Sequence, residues 1–467
     1  MNHWQFTTGG ESSLHPAILV VLLVAIVLTF ALPRRYVLLP LLLLSFTIPV
    51  GQRLMIGQFH FPVLRIMLVP AWARLLWQRY GKEGQKSKIR LNQVDKAVIL
   101  YMIVCVICFT IQWQKIAAFY DQLGWMYNVL GFYFVFRFFL REQTDVEILL
   151  KGMTILSLII AACMLNEQVT GRNVLAMFGG VPEHTAVRGA YLRSQGPFRV
   201  YLTAGAFGAT LVPLFLCLWR KGGSRFVATA GVLAALTITI TSRTSTAISA
   251  CLATAIGIGM WRVRGRLREV RWALVGALVG LHLIMKAPVW ALIARIDLVG
   301  GSTGWHRYKI IDNFVHHFWD WWLVGANDYW SWDGGDSMWD AANQYVAVGQ
   351  ETGLLSLILF LATIVYSFKY LGDARRATPD SRQQWFLWLL GVALFSNVVA
   401  MLGISYFDQT FIYWYALLAM IIAVAAPGRS LRAVSTGAKA APSNLGGWEA
   451  QHCEPQSDAR VSSAMPL

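Results

Sequence analysis

The chain has 467 residues, of which 56% are hydrophobic and only 14% are charged, and its formal net charge is +16. Soluble globular domains carry about 25% charged residues, so this composition excludes an ordinary soluble protein. Apolar windows of about 18–20 residues recur along the chain, a length that crosses a hydrocarbon core about 30 Å thick. We therefore expect an all-α, multi-pass helical bundle embedded in a lipid bilayer, with about 12 or 13 transmembrane helices.

The predicted spans follow one another along most of the chain. They cover residues 14–32, 36–51, 58–77, 96–113, 117–139, 145–166, 199–218, 226–241, 245–261, 272–290, 341–368, 384–404 and 408–426. The second span is short, and Arg65 and Arg74 interrupt the third. No lysine or arginine precedes the first span and Arg34-Arg35 follows it, so we interpret it as a retained helix that enters from outside rather than as a signal peptide.

Five short basic loops predict the orientation. They are the loop around Arg34-Arg35 and residues 78–96, 219–225, 262–271 and 369–383. If every span crosses once, all five loops fall on one side, which the positive-inside rule identifies as the cytoplasm. These loops account for most of the positive charge, so nucleic acid is not an expected partner.

Three regions are predicted. Residues 1–166 form N-terminal transmembrane helices, and residues 167–426 form a core with two long outer loops at 167–198 and 291–340. Residues 427–467 form a disordered cytoplasmic tail rich in Ser, Gly, Ala and Pro. The pair Cys105-x-x-Cys108 has metal-like spacing without a partner pair, so we expect both thiols to pack as small hydrophobes, and we expect no metal or other cofactor.

Arg243 is the charged residue of TITITSRTSTAIS (237–249), a run with apolar sequence on both sides. The flanking basic loops are both cytoplasmic, so two spans go out and return between them, and their hairpin tip lies near residues 241–245 on the outer side. One interpretation is a lipid-facing arginine that extends to the headgroups. The surrounding Ser and Thr residues favour a polar recess, which makes Arg243 a functional candidate.

The first outer loop contains VRGAYLRSQGPFR, in which Arg188, Arg193 and Arg199 lie close together. So many arginines outside oppose the positive-inside tendency, which indicates a specific anionic ligand. Guanidinium groups bind phosphate through bidentate, charge-assisted hydrogen bonds. The alternative is that these arginines pair with anionic headgroups or with Glu167 and Glu183.

The second outer loop is rich in tryptophan, with seven of the chain's 20. They are Trp305, Trp319, Trp321, Trp322, Trp330, Trp332 and Trp339. Carboxylates such as Asp336 and Asp340 lie among them, and flat aromatic faces beside carboxylates suit sugar rings. His316 and His317 with Asp320 could bind a metal, but the spacing is not that of a zinc site, so an amphipathic surface helix is favoured.

Taken together, arginines from separate spans and a Trp- and Asp-rich loop meet at the outer leaflet. A ligand that carries a phosphate group, a lipid and sugars matches all three features. The residues therefore predict a lipid-diphosphate-linked glycan as the substrate.

Four segments in the second half of the chain resemble, in order, motifs of the O-antigen ligase and Wzy-type polymerase superfamily of bacterial membrane glycosyltransferases. They are RSQGPFRVYLTAGAFGATLVPL (193–214), TSRTSTAIS (241–249), HRYKIIDNFVHHFWDWWLVGAND (306–328) and WDAANQYVAVGQETGLLSLILFL (339–361). The resemblance implies a helical bundle with a large periplasmic loop in the bacterial inner (cytoplasmic) membrane. It also implies metal-independent transfer of a glycan from undecaprenyl diphosphate to an acceptor sugar hydroxyl.

The resemblance assigns roles to residues. Arg193 and Arg243 match the arginines that bind and neutralise the diphosphate leaving group, where positive charge stabilises the transition state. We expect further substrate contacts from the remaining polar and aromatic candidates. These are Arg188, Arg199, Arg307, Asp336, Trp339, Asn343 and Tyr345.

The expected catalytic base differs from the family pattern. Ligases of this family carry a histidine before the Asn of an "H-N" pair, and that position is Ala342, whereas Asn343 and Tyr345 match. Asp340 is the nearest substitute and the predicted base, with Asp336 next; the alternative is that Asp340 caps the following helix. The form D-x-x-N-Q-Y is more similar to the exopolysaccharide polymerase branch than to the ligase branch.

The sequence supports a polymerase of lipid-linked repeat units, with O-antigen ligase as the alternative. A transporter of lipid-linked saccharides would place charges or broken helices near the membrane midplane in related halves. We find no such repeat, and the notable charges lie at the outer end. A non-catalytic scaffold is a further alternative because the histidine is missing. The expected partners are the lipid-linked donor, an acceptor glycan and other polysaccharide assembly proteins.

Overall fold

The computed structural model describes residues 14–49, 51–56, 59–80, 90–219, 224–295, 304–332 and 342–425. In these ranges the protein is an all-α, polytopic membrane protein with two short β-hairpins. The helices are α1 (Pro16–Ala31), α2 (Leu38–Thr47), α3 (Val63–Tyr80), α4 (Gln93–Trp113), α5 (Ile116–Phe139), α6 (Gln143–Thr170), α7 (Tyr201–Leu216), α8 (Ser224–Ser242), α9 (Ser245–Gly259), α10 (Leu267–Ile284), α11 (Gly304–His316), α12 (Phe318–Trp321), α13 (Gln344–Ala377), α14 (Ser381–Ala400) and α15 (Gln409–Ala425). The strands are β1 (Arg53–Ile56), β2 (Phe59–Pro62), β3 (Ala186–Arg188) and β4 (Tyr191–Arg193).

Each predicted span contains one helix of the structure. Within the described ranges, six helices are long and apolar enough to cross a membrane: α4, α6, α8, α9 with the 3₁₀ turn that follows it, α13 and α14. The third span is partly wrong, because residues 59–62 pair with β1 and the helix begins only at Val63. The tenth helix begins at Leu267, five residues before its predicted start, because hydropathy does not mark where backbone hydrogen bonding begins.

Contacts between loops lie at the two opposite ends of the bundle, as expected if each span crosses the membrane once. At one end of the bundle, Arg34 Nη1 lies 2.9 Å from Asp145 Oδ2, and Arg375 donates to the carbonyl of Arg264. These residues belong to or adjoin the loops predicted to be cytoplasmic. We call this the inner end, following the prediction from the basic loops.

At the opposite end, which we call the outer end, the backbone N–H of His15 donates to Gln52 Oε1 at 2.9 Å. Gln409 Nε2 likewise donates to the carbonyl of Pro197 at 3.1 Å. The chain therefore passes from the inner end at Arg34 to the outer end at Gln52. Helix α2 has 10 residues and rises only about 15 Å, so flanking non-helical residues complete that crossing.

The bundle interior is built around α7 and α15, whose residues are buried almost throughout. Glycines allow α7 to approach its neighbours closely. A Cβ on Gly205 would lie 2.8 Å from Thr244 Oγ1, and one on Gly208 would lie 2.7 Å from the carbonyl oxygen of Ala235. Small residues at such interfaces permit close helix packing in membranes.

The N-terminal helices interleave with the later ones. Helix α4 packs on α13, α5 packs on α15 and α6 packs on α8. The predicted division at residue 166 falls inside α6, which continues to Thr170. The predicted tail, residues 427–467, lies outside the described residues.

Helix α13 is interrupted at Gly353, whose φ of 85° belongs to the left-handed region that favours glycine. The segment after α12 fits against the interruption. The N–H of Leu354 donates to the carbonyl of Trp322, and the N–H of Ala326 donates to the carbonyl of Gln350, both at 2.8 Å. Residues 304–332 of the second outer loop are thus largely helical and are joined to α13 by backbone hydrogen bonds.

Candidate functional site at the outer end

Two elements distant in sequence meet at the outer end, the β3–β4 hairpin and the tip between α8 and α9. The strands pair antiparallel with Ala186 opposite Arg193. Just beyond β4, the N–H of Ser194 donates to the carbonyl of Thr241 at 3.1 Å. This contact places the strand that carries Arg193 directly beside the tip that carries Arg243.

Arg193 is buried, with 7% of its surface exposed. Its guanidinium carbon lies 5.1 Å from the ring centroid of Tyr201 at the start of α7. The buried Nε has no hydrogen-bond partner, and no carboxylate among the described residues pairs with this arginine. A buried charge usually requires compensation, so this side chain is suited to an anionic ligand.

Arg243 is half-buried at the hairpin tip and has a φ of 46°. This left-handed conformation lets the chain reverse within two residues, between Ser242 at the end of α8 and Ser245 at the start of α9. Its guanidinium carbon lies 4.5 Å from the ring centroid of Tyr191. In the described part of the chain it forms no ion pair.

Both arginines lie beside β4: Arg193 ends the strand, and Arg243 lies over the ring of Tyr191 at its start. Residues two apart on a strand point to the same side, so Tyr191 and Arg193 do so, and Arg243 covers Tyr191. Contacts with aromatic rings stabilise a guanidinium by about 0.5–2 kcal/mol but leave its charge intact. The N-terminus of α9, capped by Thr244, begins two residues from Arg243 and adds partial positive charge. The arrangement can bind a multiply charged anion.

A buried carboxylate holds the loop that follows Arg193. Glu167, near the end of α6, is fully buried and accepts hydrogen bonds from the N–H of Gln195, the N–H of Gly196 at 2.9 Å and Thr185 Oγ1 at 3.2 Å. Our sequence reasoning considered this residue only as a partner for arginines. A lone carboxylate at the end of an apolar helix must find hydrogen-bond donors when it is buried, and this feature of the sequence indicates its role.

Among the described residues, Arg188, Arg193 and Arg199 do not pair with Glu167 or Glu183, so that alternative is wrong for these three arginines. Glu167 binds backbone N–H groups, and Glu183 lies 3.8 Å from Arg172. Arg188 is exposed on β3 near the hairpin turn.

Arg199 forms an ion pair with Asp408, its Nε lying 2.7 Å from Oδ2, and its side chain is 61% exposed. Burial raises the pKa of Asp408, and the neighbouring Arg199 opposes this shift. The charge of Arg199 is therefore already compensated, unlike that of Arg193.

Arg307 on α11 is buried beside the same hairpin tip. Its Nη2 donates to Thr246 Oγ1 at 2.7 Å, and that hydroxyl donates to the carbonyl of Gly403 at 3.2 Å. Thr246 is three residues from Arg243. Arg307 thus joins the second outer loop to the first turn of α9. This contact places it beside the tip that carries Arg243, in the region to which it was assigned.

Asn343 and Tyr345 are engaged in the structure of α13. Asn343 is the N-cap, its Oδ1 accepting from the N–H groups of Tyr345 at 3.0 Å and Val346 at 3.3 Å. The Tyr345 hydroxyl donates to the carbonyl of Val398 at 2.9 Å. Asn343 is thus the N-cap of α13, while Asp340, the predicted alternative cap, lies outside the described residues. Asn343 and Tyr345, both predicted to contact substrate, thus hold the start of α13 in place.

Three predicted site residues, Asp336, Trp339 and Asp340, lie outside the described residues. Ala342, where the family pattern has a histidine, packs beside a small apolar cluster formed by Ile310 and Val346. The position next to the N-cap of α13 therefore faces α11.

The described tryptophans of the second outer loop divide into packed and exposed residues. Trp321 is buried, stacks on Phe314 at 3.9 Å and donates to its carbonyl. Trp305 and Trp319 are exposed, with 61% and 77% of their surface accessible. Exposed aromatic faces at this end can contact sugar rings.

The two neighbouring histidines of this loop have local partners. His316 contacts the carbonyl of Asp312, and His317 stacks on Trp332 and lies 2.8 Å from Asp320. Helix α11 ends at His316 and α12 begins at Phe318, so the predicted surface helix is interrupted at His317. In the ranges described, no three His, Cys, Asp or Glu side chains group as metal ligands.

The site thus combines two uncompensated arginines, a helix N-terminus and exposed aromatic side chains at one end of a membrane bundle. No protein-family model matches the chain, and no curated protein matches it in sequence.

Proposed function

We propose that this protein is a membrane glycosyltransferase that polymerises undecaprenyl-diphosphate-linked oligosaccharide repeat units into exopolysaccharide or O-antigen. We place the reaction at the periplasmic face of the bacterial inner membrane. The observation that carries the proposal is that Arg243 lies over the ring of Tyr191, two residues from the buried Arg193 on β4, and that neither arginine has a carboxylate partner among the described residues.

The chemistry needs what this pair supplies. The acceptor hydroxyl attacks the anomeric carbon of the donor sugar, and the bond from that carbon to the diphosphate oxygen breaks. The diphosphate leaves with the bonding electron pair, so negative charge grows on its oxygens. Two guanidinium groups can stabilise that charge without a metal ion, because their contacts with tyrosine rings hold them in place before the reaction.

The position of the pair suits a lipid-linked donor. Both arginines lie at the outer end of helices that cross the bilayer, so the polyprenyl chain can remain in the membrane while the diphosphate reaches them. The exposed rings of Trp305 and Trp319 lie in the loop joined to the same tip through Arg307. They offer contact surfaces for the glycan of the donor or the acceptor.

A transporter is less well supported by the same features. The 24 residues from Leu354 to Ala377 rise about 36 Å, enough to cross the membrane alone, so the interruption in α13 lies near the outer surface. The arginine pair also lies at the outer end, where a transporter would need charges near the midplane.

The experiment that tests the proposal uses the purified full-length protein in phospholipid vesicles. The donor is the lipid-linked glycan that accumulates in a strain lacking the gene. We expect a ladder of glycans on the lipid carrier and released undecaprenyl diphosphate. Single transfer to lipid A-core would indicate the ligase instead. Movement of the donor between leaflets without a new glycosidic bond would overturn the enzymatic proposal.

A further inference from the structure

A cavity of about 430 Å³ lies at the inner end of the bundle, between the start of α4 and the last turns of α13. The two helices pack on each other, and at the cavity the N–H of Gln93 donates to the Tyr370 hydroxyl at 3.0 Å. The lining is strongly positive. Its three cations, which we call the lining cations, are Arg90, Lys96 and Lys369.

The described part of the chain does not neutralise this positive charge. Asp373, the only carboxylate among the described lining residues, already pairs with Arg376, whose Nη2 lies 2.6 Å from its Oδ1. Asp95, the neighbour of Lys96 in the sequence, pairs with Arg137 at 3.3 Å. Within the described ranges, none of the lining cations makes an ion pair. The cavity is therefore suited to an anion.

Two further lining residues carry hydrogen-bond donors that have no acceptor among the described residues. Tyr370 is 6% exposed, and its hydroxyl accepts from Gln93 but donates to no described group. Asn92 Oδ1 accepts from the N–H of Asp95 at 2.9 Å, whereas its buried Nδ2 has no partner. Buried donors normally find an acceptor. A phosphate group offers several charged acceptor oxygens, which match both these donors and the lining cations.

The surface beside the cavity indicates that the phosphate belongs to a lipid. Leu100, one turn after Lys96 on α4, is 49% exposed, and Val365, one turn before Lys369 on α13, is 61% exposed. Exposed apolar side chains continue both faces toward the membrane centre. They are Ile103 and Ile107 on α4, and Leu361 and Ile358 on α13. Acyl chains can lie along these faces, and basic pockets between transmembrane helices on the cytoplasmic side bind anionic headgroups.

We propose that this cavity binds the phosphate of an anionic phospholipid from the inner leaflet, with its acyl chains against the exposed faces of α4 and α13. Because Lys96 and Lys369 come from different helices, one bound headgroup joins the inner ends of both. The inference does not depend on the proposed function, since the cavity lies at the end of the bundle opposite the arginine pair.

The test measures binding of phosphatidylglycerol, phosphatidylcholine and inorganic phosphate to the purified full-length protein in detergent. Native mass spectrometry counts bound lipid, and the melting temperature is followed in parallel. We expect the wild type to prefer phosphatidylglycerol. Each basic residue near an anionic headgroup contributes about 5-fold in affinity, so the double variant Lys96→Gln/Lys369→Gln should bind this lipid about 25-fold more weakly. Tyr370→Phe keeps every lining cation and should bind it about 10-fold more weakly.

Lys151→Gln is the matched control. Lys151 is exposed and lies eight residues after the first residue of α6, as Lys369 lies eight residues before the last residue of α13. This variant should bind phosphatidylglycerol as the wild type does. Equal binding of the two lipids by the wild type would overturn the proposal, as would equal weakening in the control and the double variant. Unchanged affinity in Tyr370→Phe would indicate a diffuse basic surface, and inorganic phosphate that binds as tightly as the lipid would indicate a soluble anion; either result also overturns it.

Discussion

The guanidinium of Arg243 covers the ring of Tyr191, two residues before Arg193 on the same strand. This contact joins a helical hairpin tip to a β-hairpin that is separated from it in the sequence by two helices, α7 and α8. Each guanidinium lies near a tyrosine ring, which holds its position without removing its charge. The predictions below follow from this arrangement and from the residues that support it.

Replacing either arginine should abolish polymer formation while the protein still inserts. Arg193→Ala and Arg243→Ala should each lower the transfer rate by about 10²–10³-fold, as loss of a transition-state donor does. Lysine should restore little, because it lacks the planar bidentate fork. The measurement is the initial rate of glycan transfer in vesicles, with Arg172→Ala as the control because that arginine of the same loop is 69% exposed and already pairs with Glu183. Full-length polymer from either alanine variant would disprove the diphosphate site.

Glu167→Gln should loosen the loop that positions Arg193. The amide nitrogen of glutamine would face backbone N–H donors that now point at a carboxylate oxygen. Disturbing such a buried acceptor costs about 1–3 kcal/mol. We expect a lower melting temperature in detergent and slower transfer. Glu183→Gln, at an exposed residue of the same loop, is the control and should leave both unchanged.

Gly205→Ala should displace the tip that carries Arg243. The added Cβ would lie 2.8 Å from Thr244 Oγ1, the N-cap of α9, and such overpacking costs about 1–3 kcal/mol. Transfer should fall more than thermal stability, since the tip moves while the rest of the bundle is intact. Gly276→Ala in α10 is matched, because nothing lies within 4 Å of that position. Equal activity in the two variants would contradict the prediction.

Gly353→Ala should separate the second outer loop from α13. Alanine is strained at a φ of 85°, and its Cβ would lie 2.6 Å from the carbonyl oxygen of Leu323. A strained residue costs about 1–3 kcal/mol. Faster hydrogen exchange at Leu354 and Ala326 would report the loss of the two backbone bonds. Gly280→Ala is the control, because Gly280 is helical and nothing lies within 4 Å of an added Cβ. In this variant the amides of Leu354 and Ala326 should exchange their hydrogens at the wild-type rate.

Much of the architecture could be predicted because hydropathy and basic loops act locally. The position of Arg243 at an outward tip follows from counting crossings between two basic loops. The roles of Glu167 and Gly353 could not be predicted, because each depends on backbone groups distant in sequence. The same holds for β1 and β2, where pairing rather than hydropathy decides the conformation of residues 59–62. Asn343 matched a motif, but its capping role appears only when the start of α13 is known.

The interruption at Gly353 makes the second outer loop and α13 a single mechanical unit. The carbonyl of Trp322 and the N–H of Ala326 form backbone hydrogen bonds with α13 on the two sides of the interruption. Moving this segment away would leave the carbonyl of Gln350 and the N–H of Leu354 without these partners, and a lost backbone hydrogen bond costs free energy. We therefore expect the segment that follows α12 and the start of α13 to move together.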